Sequence, residues 1–400
     1  MTVEPVKYPM FEAVRLEVDP RYKAIQEKGL IRIQLPYGEP AWLATRYGDV
    51  RTVFGDPRMS RKLGLEHHAP SMFPGEGIKD PTIMLNMDPP EHTRLRRLAA
   101  GSFTISRIMK LEGVVQGIVD ELLDDLTAAG PGADFVSIYS SNLPVRVLCH
   151  VLGIAPERAK AFKKWVDISS ALQASMADRN EAHLQTRAFI EDLVAQRRVH
   201  RGTDLLSELV EARDDGDALG EGELVSLSLA LWNGGFKTTL WQLGTTLYTL
   251  MTHPDHWQEL KETPDLLPAA MEEMWRWIPS FKYGVPFSRW AKEDIEYSDG
   301  TVVRAGEAVL GEFAVANRDE TVYPDANKLD FHRVDPAPQL SFTYGAHTCI
   351  GHHLARLQIR LTIQSLIQRF PDLQLAVPAE QVAFSTQSFM RSVEALPLKW

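Results

Sequence analysis

Apolar positions recur mainly at helical spacing along this chain, and alternating patterns interrupt them in only a few places. The strongest helical pattern runs from Gly220 to Thr252, where His253-Pro254 ends it. Further helical patterns cover residues 90–126, 156–201, 266–277 and 351–370. Strand-like patterns occur at residues 41–46, between the glycine turns of 294–313, and in the hairpin-like tail that closes with "VEALPLKW".

Residues 60–85 are rich in Gly, Pro and His without a firm period, which predicts a long irregular loop. No linker, internal repeat or low-complexity segment divides the series of elements. We therefore predict a mainly α protein with a minor β part, folded as a single domain over residues 1–400.

Composition narrows the class of protein. The formal net charge of -10 argues against general affinity for nucleic acid or for an anionic membrane surface. The first residues contain no apolar run of signal-peptide or membrane-span length, and two cysteines are too few for a disulfide framework. These features predict a cytoplasmic, monomeric protein.

The two cysteines differ in their surroundings. Cys149 lies in the apolar helical run "LPVRVLCHVLGI", which is typical of a small buried hydrophobic residue. Cys349 lies in "SFTYGAHTCIGHHLARLQIR", between glycines and histidines and directly before a predicted helix. A zinc site would need about four ligands, and a cysteine nucleophile would need a better placed base than His347. A thiolate ligand to haem iron suits the glycine-framed loop and the helix dipole that follows it.

Five motifs together resemble the cytochrome P450 monooxygenases, in the same order along nearly the whole chain. They are the cysteine loop Phe342–Gly351, "EMWR" from Glu273 to Arg276, "ANRD" with "FHR" from Ala316 to Arg333, "DPPEHTRLR" from Asp88 to Arg96, and "GGFKTT" from Gly234. The resemblance implies a single-domain fold that encloses haem, and its length and N-terminus are similar to the bacterial members that take electrons from a ferredoxin.

For the cofactor, the resemblance implies haem b with Cys349 as the axial ligand of the iron. His92 and Arg96 lie four residues apart on one predicted helix face, and with Arg289 and His347 they can satisfy both haem carboxylates by charge-assisted hydrogen bonds. The full set of expected cofactor-binding residues is His92, Arg96, Gly235, Arg289, Phe342, Gly345, His347, Cys349 and Gly351.

Glu273 and Arg276 are three residues apart on a predicted helix, close enough to form an ion pair. The resemblance implies a buried structural network with Arg333 as its third member. We therefore expect these residues to maintain the fold and leave them out of the catalytic set.

The long helix carries the expected catalytic residues, Thr238 and Lys237. Gly234 and Gly235 would leave space for dioxygen, and Thr238 supplies a hydroxyl. In the family an acid usually precedes this threonine, whereas Lys237 stands here, and a charged ammonium only donates hydrogen bonds. Lys237 can point away and pair with a carboxylate, relay protons after burial lowers its pKa, or anchor an acidic group of the substrate. The sequence leaves these three roles open.

The expected reaction is hydroxylation or epoxidation of a mid-sized, apolar or aromatic natural product of secondary metabolism. The alternative is oxidation without oxygen insertion, by coupling, ring closure or desaturation with the same iron-based oxidant. A non-enzymatic haem sensor is the alternative from a different class.

The places that usually contact substrate in the family supply the expected substrate-binding residues. They are Met84, Leu85, Trp232, Asn233, Phe236, Phe281, Tyr283, Val285 and Phe389. Trp232 and Phe236 share a helix face, where core packing competes with substrate contact, and Lys282 or Asn233 is a candidate polar group.

The expected partners are dioxygen, the small-molecule substrate, a ferredoxin and a ferredoxin reductase. A basic face on the thiolate side would attract an acidic ferredoxin. Its expected residues are Arg94, Arg97, His352, His353 and Arg360.

Overall fold

The structure is a computed structural model that describes residues 4–72, 79–155, 157–159, 164, 165, 168, 174–214, 219–283 and 288–400. The α-helices of these residues are α1 (Tyr22–Lys28), α2 (Tyr47–Gly55), α3 (Glu91–Ala100), α4 (Ile105–Lys110), α5 (Glu112–Ala129), α6 (Leu143–Leu152), α7 (Met176–Val199), α8 (Leu205–Asp214), α9 (Glu221–Thr252), α10 (Pro254–Glu262), α11 (Leu267–Trp277), α12 (Phe313–Ala316) and α13 (His352–Arg369).

The strands are short and form three small sheets. Their bounds are β1 (Val6–Lys7), β2 (Ile31–Gln34), β3 (Ala41–Ala44), β4 (Met59–Ser60), β5 (Arg289–Ala291), β6 (Ile295–Glu296), β7 (Val302–Val303), β8 (Ala308–Gly311), β9 (Gln374–Leu375) and β10 (Leu398–Lys399). The predominance of helix confirms the predicted mainly α class with a minor β part.

Most predicted elements lie where the hydrophobic pattern placed them. The helix predicted over 220–252 is α9, the one over 266–277 is α11, and the last is α13. The region 90–126 holds three helices instead of one, because a 3-10 turn at Gly101–Phe103 and the short α4 divide it. Most of the segment 156–173 lies outside the described residues, so the start of the helix predicted there is not described. Strands β1 and β2 were not predicted.

Contacts group the chain into two compact units, each built from two separate stretches. The first unit contains Met1–Arg94 and Glu272–Cys349, and the second contains Leu95–Met271 and Ile350–Trp400. The prediction of one domain over residues 1–400 stays a prediction.

The first unit is organised around a six-stranded sheet with the order β1-β2-β3-β8-β5-β4. β3 pairs with β8 in parallel, and β5 pairs with both β8 and β4 in antiparallel register. Helix α2 packs against β8 so closely that a Cβ on Gly311 would lie 2.5 Å from the Phe54 ring. Phe54 and Phe313 meet at 4.7 Å between ring centroids inside the larger apolar core of this unit.

The second unit is helical, with α9 packed against α6, α7, α8 and α13. A 32-residue helix surrounded in this way must bury residues around most of its circumference, and its buried residues accordingly combine apolar side chains with small hydroxyl side chains. Its buried hydroxyls are satisfied locally: the side chains of Ser228, Thr245 and Thr249 each donate to the carbonyl four residues earlier.

Candidate active site

The cysteine loop is fixed by hydrogen bonds within itself. The Cys349 amide donates to the Phe342 carbonyl at 2.9 Å, and the Thr343 hydroxyl donates to the His347 carbonyl at 2.8 Å. The Thr348 hydroxyl and amide both donate to the Gly345 carbonyl. The Cys349 side chain is exposed, so the loop presents a sulfur atom from a backbone whose polar groups are largely paired.

The two glycines of the loop have different roles. Gly345 has a φ of +75°, and a Cβ there would lie 2.4 Å from the Phe54 carbonyl oxygen at the end of α2. Any side chain would therefore strain the loop and push it off α2. Gly351 has an ordinary φ of -88° at the start of α13, and no described heavy atom lies within 4 Å of the position that a Cβ would occupy.

Three of the expected cofactor-binding residues lie in buried or aromatic surroundings in the first unit. His92 is 1% exposed and its ring lies 4.1 Å from that of His347. Arg289 is 3% exposed and its guanidinium lies 4.9 Å from the Phe54 ring centroid. Phe342 packs 5.0 Å from Trp275. Arg96 is half-buried and belongs to the second unit.

Arg289 has electrostatic properties that suit an anionic ligand. Burial lowers the pKa of Arg289 well below its ordinary value, and the charge of nearby Arg61 lowers it further, while Asp88 opposes the shift. A buried cation of this kind is stabilised by a carboxylate held against it.

The predicted structural ion network is confirmed. Arg276 donates to both carboxylate oxygens of Glu273 at 2.7 Å, and the Arg333 Nε donates to the same carboxylate at 2.9 Å. Arg276 also donates to the carbonyls of Asn317 and Ala326. The Glu273 carboxylate and the Arg276 side chain are at most 5% exposed, so each charge in this network needs the opposite charge beside it to offset the cost of burial.

The two glycines in the middle of α9 have different surroundings, and the cofactor-binding role of Gly235 stays a prediction. A Cβ on Gly235 would lie 3.0 Å from the Leu148 side chain, so this glycine allows α9 to pack closely against α6. Gly234 is exposed, and no described heavy atom lies within 4 Å of its Cβ position. The open position of the pair is therefore Gly234, and the repeated glycine gave no means to distinguish them.

The expected catalytic side chains of α9 point in different directions. The Thr238 hydroxyl is exposed and donates to the Gly234 carbonyl at 2.6 Å, one turn earlier. The Lys237 ammonium lies 5.7 Å from the ring centroids of both Phe236 and Trp241, and Trp241 is one turn later. Lys237 therefore makes cation–π contacts, an arrangement that was not among the three roles considered from the sequence.

The expected substrate-binding residues of the second unit differ in how deeply they are buried. Trp232 and Phe236 have no exposed surface, which favours core packing for both, whereas their neighbour Asn233 is exposed. Phe389 is half-buried and meets Trp241 edge-to-face at 6.0 Å.

The remaining expected contacts lie in the first unit. Met84 and Leu85 are half-buried in the short 3-10 helix Met84–Asn86. Phe281 and Tyr283 are also half-buried, and each packs against an apolar core cluster. Val285 lies outside the described residues.

Two residues near these groups were missed. Trp241 contacts both Lys237 and Phe389, and the i to i+4 spacing from Lys237 could have indicated it. Arg61 lies close to Arg289, but nothing in the sequence near Arg61 indicates that proximity.

No group of three or more His, Cys, Asp or Glu side chains suited to a metal occurs in the described part of the chain. The zinc alternative thus has no support there.

Comparison with known proteins identifies the class. The Cytochrome P450 family model matches residues 144–390. The chain is 38% identical to mycinamicin IV hydroxylase/epoxidase of Micromonospora griseorubida, over 100% of both chains, and 40% identical to nocardicin C N-oxygenase of Nocardia uniformis subsp. tsuyamanensis, over 98% of both. A crystal structure of HinD with NMFT and NO is similar at a TM-score of 0.94 and 38% identity, over 100% of both chains.

The chain belongs to the cytochrome P450 family. It is a haem-thiolate monooxygenase, which uses haem b with a cysteine thiolate as axial ligand, receives electrons from redox partners and acts on a small-molecule substrate. The relatives named for oxygen insertion do not favour the coupling alternative. In the described part of the chain, every helix is too short or too polar for a membrane span.

The Glu273 network gives a test of stability. Glu273→Gln removes the carboxylate charge that two buried guanidinium groups share, and we expect it to lower the free energy of unfolding by about 3–5 kcal/mol. The matched control is Glu272→Gln, because Glu272 is the neighbouring acid at a less buried position and accepts a hydrogen bond of 3.2 Å from Gln339. Denaturant titration of both variants measures the difference, and equal losses would contradict the assignment.

Proposed function

We propose that this monooxygenase hydroxylates or epoxidises a mid-sized natural product, with Cys349 as its iron ligand. The exposed thiol on a hydrogen-bonded loop carries the proposal. Cys149 is the other cysteine, and it is 3% exposed, with a pKa that burial raises to about 12. A thiolate at Cys149 would be strongly disfavoured, whereas Cys349 precedes the N-terminus of α13 by three residues.

The residues around the loop fit the rest of haem b. His92, His347 and Arg289 supply donors and a buried positive charge for the two carboxylates, and we assign Arg96 to the same task. When bound, the haem supplies the activation of dioxygen. The chain contributes anion binding, the thiolate and the placement of protons.

For proton placement we assign the central role to Thr238. Its hydroxyl proton is engaged with the Gly234 carbonyl, so the free lone pairs of Thr238 are oriented to accept a hydrogen bond from outside the helix. Lys237 is directed toward Trp241 by its cation–π contacts and is therefore a poor replacement for the missing acid. We propose instead that Lys237, through its contact with Trp241, shapes the surface near Phe389.

The substrate is inferred from the relatives and from exposure. The two relatives are named for mycinamicin IV and nocardicin C, both compounds of secondary metabolism. Among the expected contacts that the structure describes, Met84, Leu85, Phe281 and Tyr283 of the first unit are half-buried, and in the second unit Phe389 is half-buried and Asn233 is exposed. These residue types are mainly apolar with one amide, which suits a mid-sized, largely apolar guest with a few polar groups.

For electron supply we propose an acidic ferredoxin with its reductase, in the cytoplasm. Arg94 and Arg97 are exposed on α3 and remain the best candidates for contact. Arg360 is neutralised by Glu112 at 2.6 Å, and burial together with Arg356 lowers the pKa of His353. The positive charge of the expected basic face therefore comes mainly from Arg94 and Arg97.

The thiolate assignment predicts a spectroscopic loss. Cys349→Ser should retain haem but lose the absorption band that thiolate ligation gives to the reduced carbon-monoxide complex, because a serine hydroxyl is a much weaker donor. Cys149→Ser is the matched control and should keep that band. A thiolate band that survives in Cys349→Ser would refute the assignment.

The ferredoxin assignment predicts a charge effect on rate. Arg97→Glu should lower the second-order rate of reduction by an acidic ferredoxin by about tenfold, and added salt should slow the unaltered enzyme. Arg187→Glu, a surface arginine of α7 that pairs with Glu191, should change the rate little. Stopped-flow reduction measures all three; insensitivity to both salt and Arg97 would rule out this docking site.

The role of Thr238 predicts uncoupling. Thr238→Ala should lower product formed per NADH by about tenfold or more and release hydrogen peroxide instead, while Thr238→Ser keeps a hydroxyl and most of the coupling. Mycinamicin IV and nocardicin C are the first compounds to test for turnover.

The same turnover assays separate oxygen insertion from coupling. With labelled dioxygen, mass spectrometry should find the label in the main product. An unlabelled product would contradict hydroxylation or epoxidation, and unchanged coupling in Thr238→Ala would contradict the role of its hydroxyl.

A further inference from the structure

Arg61 lies near Arg289 and donates several side-chain hydrogen bonds, and the family resemblance gave it no role. It follows β4 directly, and its guanidinium donates in three directions. Nε donates to the Leu85 carbonyl at 3.1 Å, Nη2 to the Asn86 side-chain oxygen at 3.2 Å, and Nη1 to the Ser288 carbonyl at 2.7 Å. One side chain thus joins the segment before α3 to the residue before Arg289.

The backbone of the same turn holds the other end of that segment. The Arg61 amide donates to the Asp88 carboxylate at 2.8 Å, and the Ser60 hydroxyl forms a short hydrogen bond with the other carboxylate oxygen. The backbone carbonyl of Asp88 in turn accepts a hydrogen bond from the His92 amide at 3.0 Å, at the start of α3. Residues 85–88 are therefore attached at both ends to the Ser60–Arg61 turn.

Strand pairing makes this attachment rigid. β4 pairs with β5 in antiparallel register, with Ser60 opposite Trp290, so Arg61 emerges beside the strand that begins at Arg289. Burial lowers the pKa of Arg61 to about 10, which still leaves the side chain charged at neutral pH. A charged donor to neutral carbonyls gives stronger hydrogen bonds than a neutral one.

The required donor geometry is specific to arginine. The three acceptors belong to three different residues and are reached by three different nitrogens of a planar group. A lysine keeps the charge but has a single nitrogen, so it cannot span the same acceptors. A glutamine has neither the charge nor the reach.

We propose that Arg61 is a positioning residue that locks the segment 84–88 against the strand carrying Arg289, and thereby sets the affinity for ligands of the active site. The proposal rests on the proposed function for its link to substrate, through Met84 and Leu85. It gives Arg61 no contact with substrate or cofactor.

Hydrogen exchange of the haem-loaded enzyme tests the lock directly. Arg61→Gln should speed exchange of the amides in residues 83–88 by at least about tenfold, because the loss of even one of the three hydrogen bonds from the charged guanidinium corresponds to about that factor. Arg61→Lys should give a smaller increase. The matched control is Arg58→Gln, because Arg58 is an exposed arginine three residues away that pairs with Asp56 at 2.7 Å; it should leave residues 83–88 unchanged.

Binding of 4-phenylimidazole then tests the consequence for the active site. Its dissociation constant should rise about threefold to tenfold in Arg61→Gln, because a loosened segment must be ordered again on binding. Unchanged exchange at residues 83–88 would overturn the proposal, and so would an equal increase in α13, which would indicate general destabilisation. Faster exchange with unchanged affinity would overturn the link to ligand binding.

Failure of the proposed function is detected separately. Arg289→Gln should weaken haem retention if Arg289 holds a haem carboxylate. Normal haem retention in that variant would refute the cofactor assignment of Arg289, whereas the exchange result for Arg61 depends only on the chain's own hydrogen bonds.

Discussion

The position of the cysteine loop depends on the ion network around the buried carboxylate of Glu273. Glu273 holds Arg276, and Arg276 binds the carbonyl of Asn317 at 2.8 Å. The Asn317 side chain accepts the Leu340 amide and donates to the Ser341 hydroxyl, which donates to the Trp275 carbonyl on the helix that carries Glu273. Phe342 packs on Trp275 and accepts the Cys349 amide. A continuous series of contacts thus runs from one buried charge to the thiol.

This arrangement explains how an ion network that makes no direct contact with the thiol in these hydrogen bonds can still affect the position of the cysteine loop. A single buried carboxylate shared by two arginines would be costly to desolvate if its partners could leave, so the surrounding backbone must stay closed around it. The packed backbone around the network also fixes where residues 340–342 lie. The hydrogen bonds inside the loop then fix Cys349 relative to these residues. The glycines of the loop allow its backbone conformation, and the ion network determines where the loop lies in the first unit.

The sequence was sufficient for most of the helices, the fold class and the pair of Glu273 and Arg276, because each rests on short-range periodicity or on a motif of fixed spacing, and the resemblance added Arg333. It was insufficient where two neighbouring residues of one helix face different surroundings. Gly235 meets Leu148 whereas Gly234 is open, and Trp232 is buried whereas Asn233 is exposed. A helix buried around most of its circumference has no amphipathic pattern from which such directions follow. Arg61 was missed for a different reason, since its partners lie up to 227 residues away.

Lys237 shows how local geometry selects among chemically possible roles. An ammonium can act as proton relay, ion-pair partner or substrate anchor, and composition does not rank these roles. Trp241 stands one turn later on α9, and the long lysine stem reaches its ring, where the aromatic face attracts a cation while part of the stem stays packed. Thr238 is oriented toward the preceding turn instead, through Gly234. The two side chains therefore diverge along the helix axis. The lysine that stands in place of the usual acid therefore bears more directly on the surroundings of Trp241 and Phe389 than on those of the Thr238 hydroxyl.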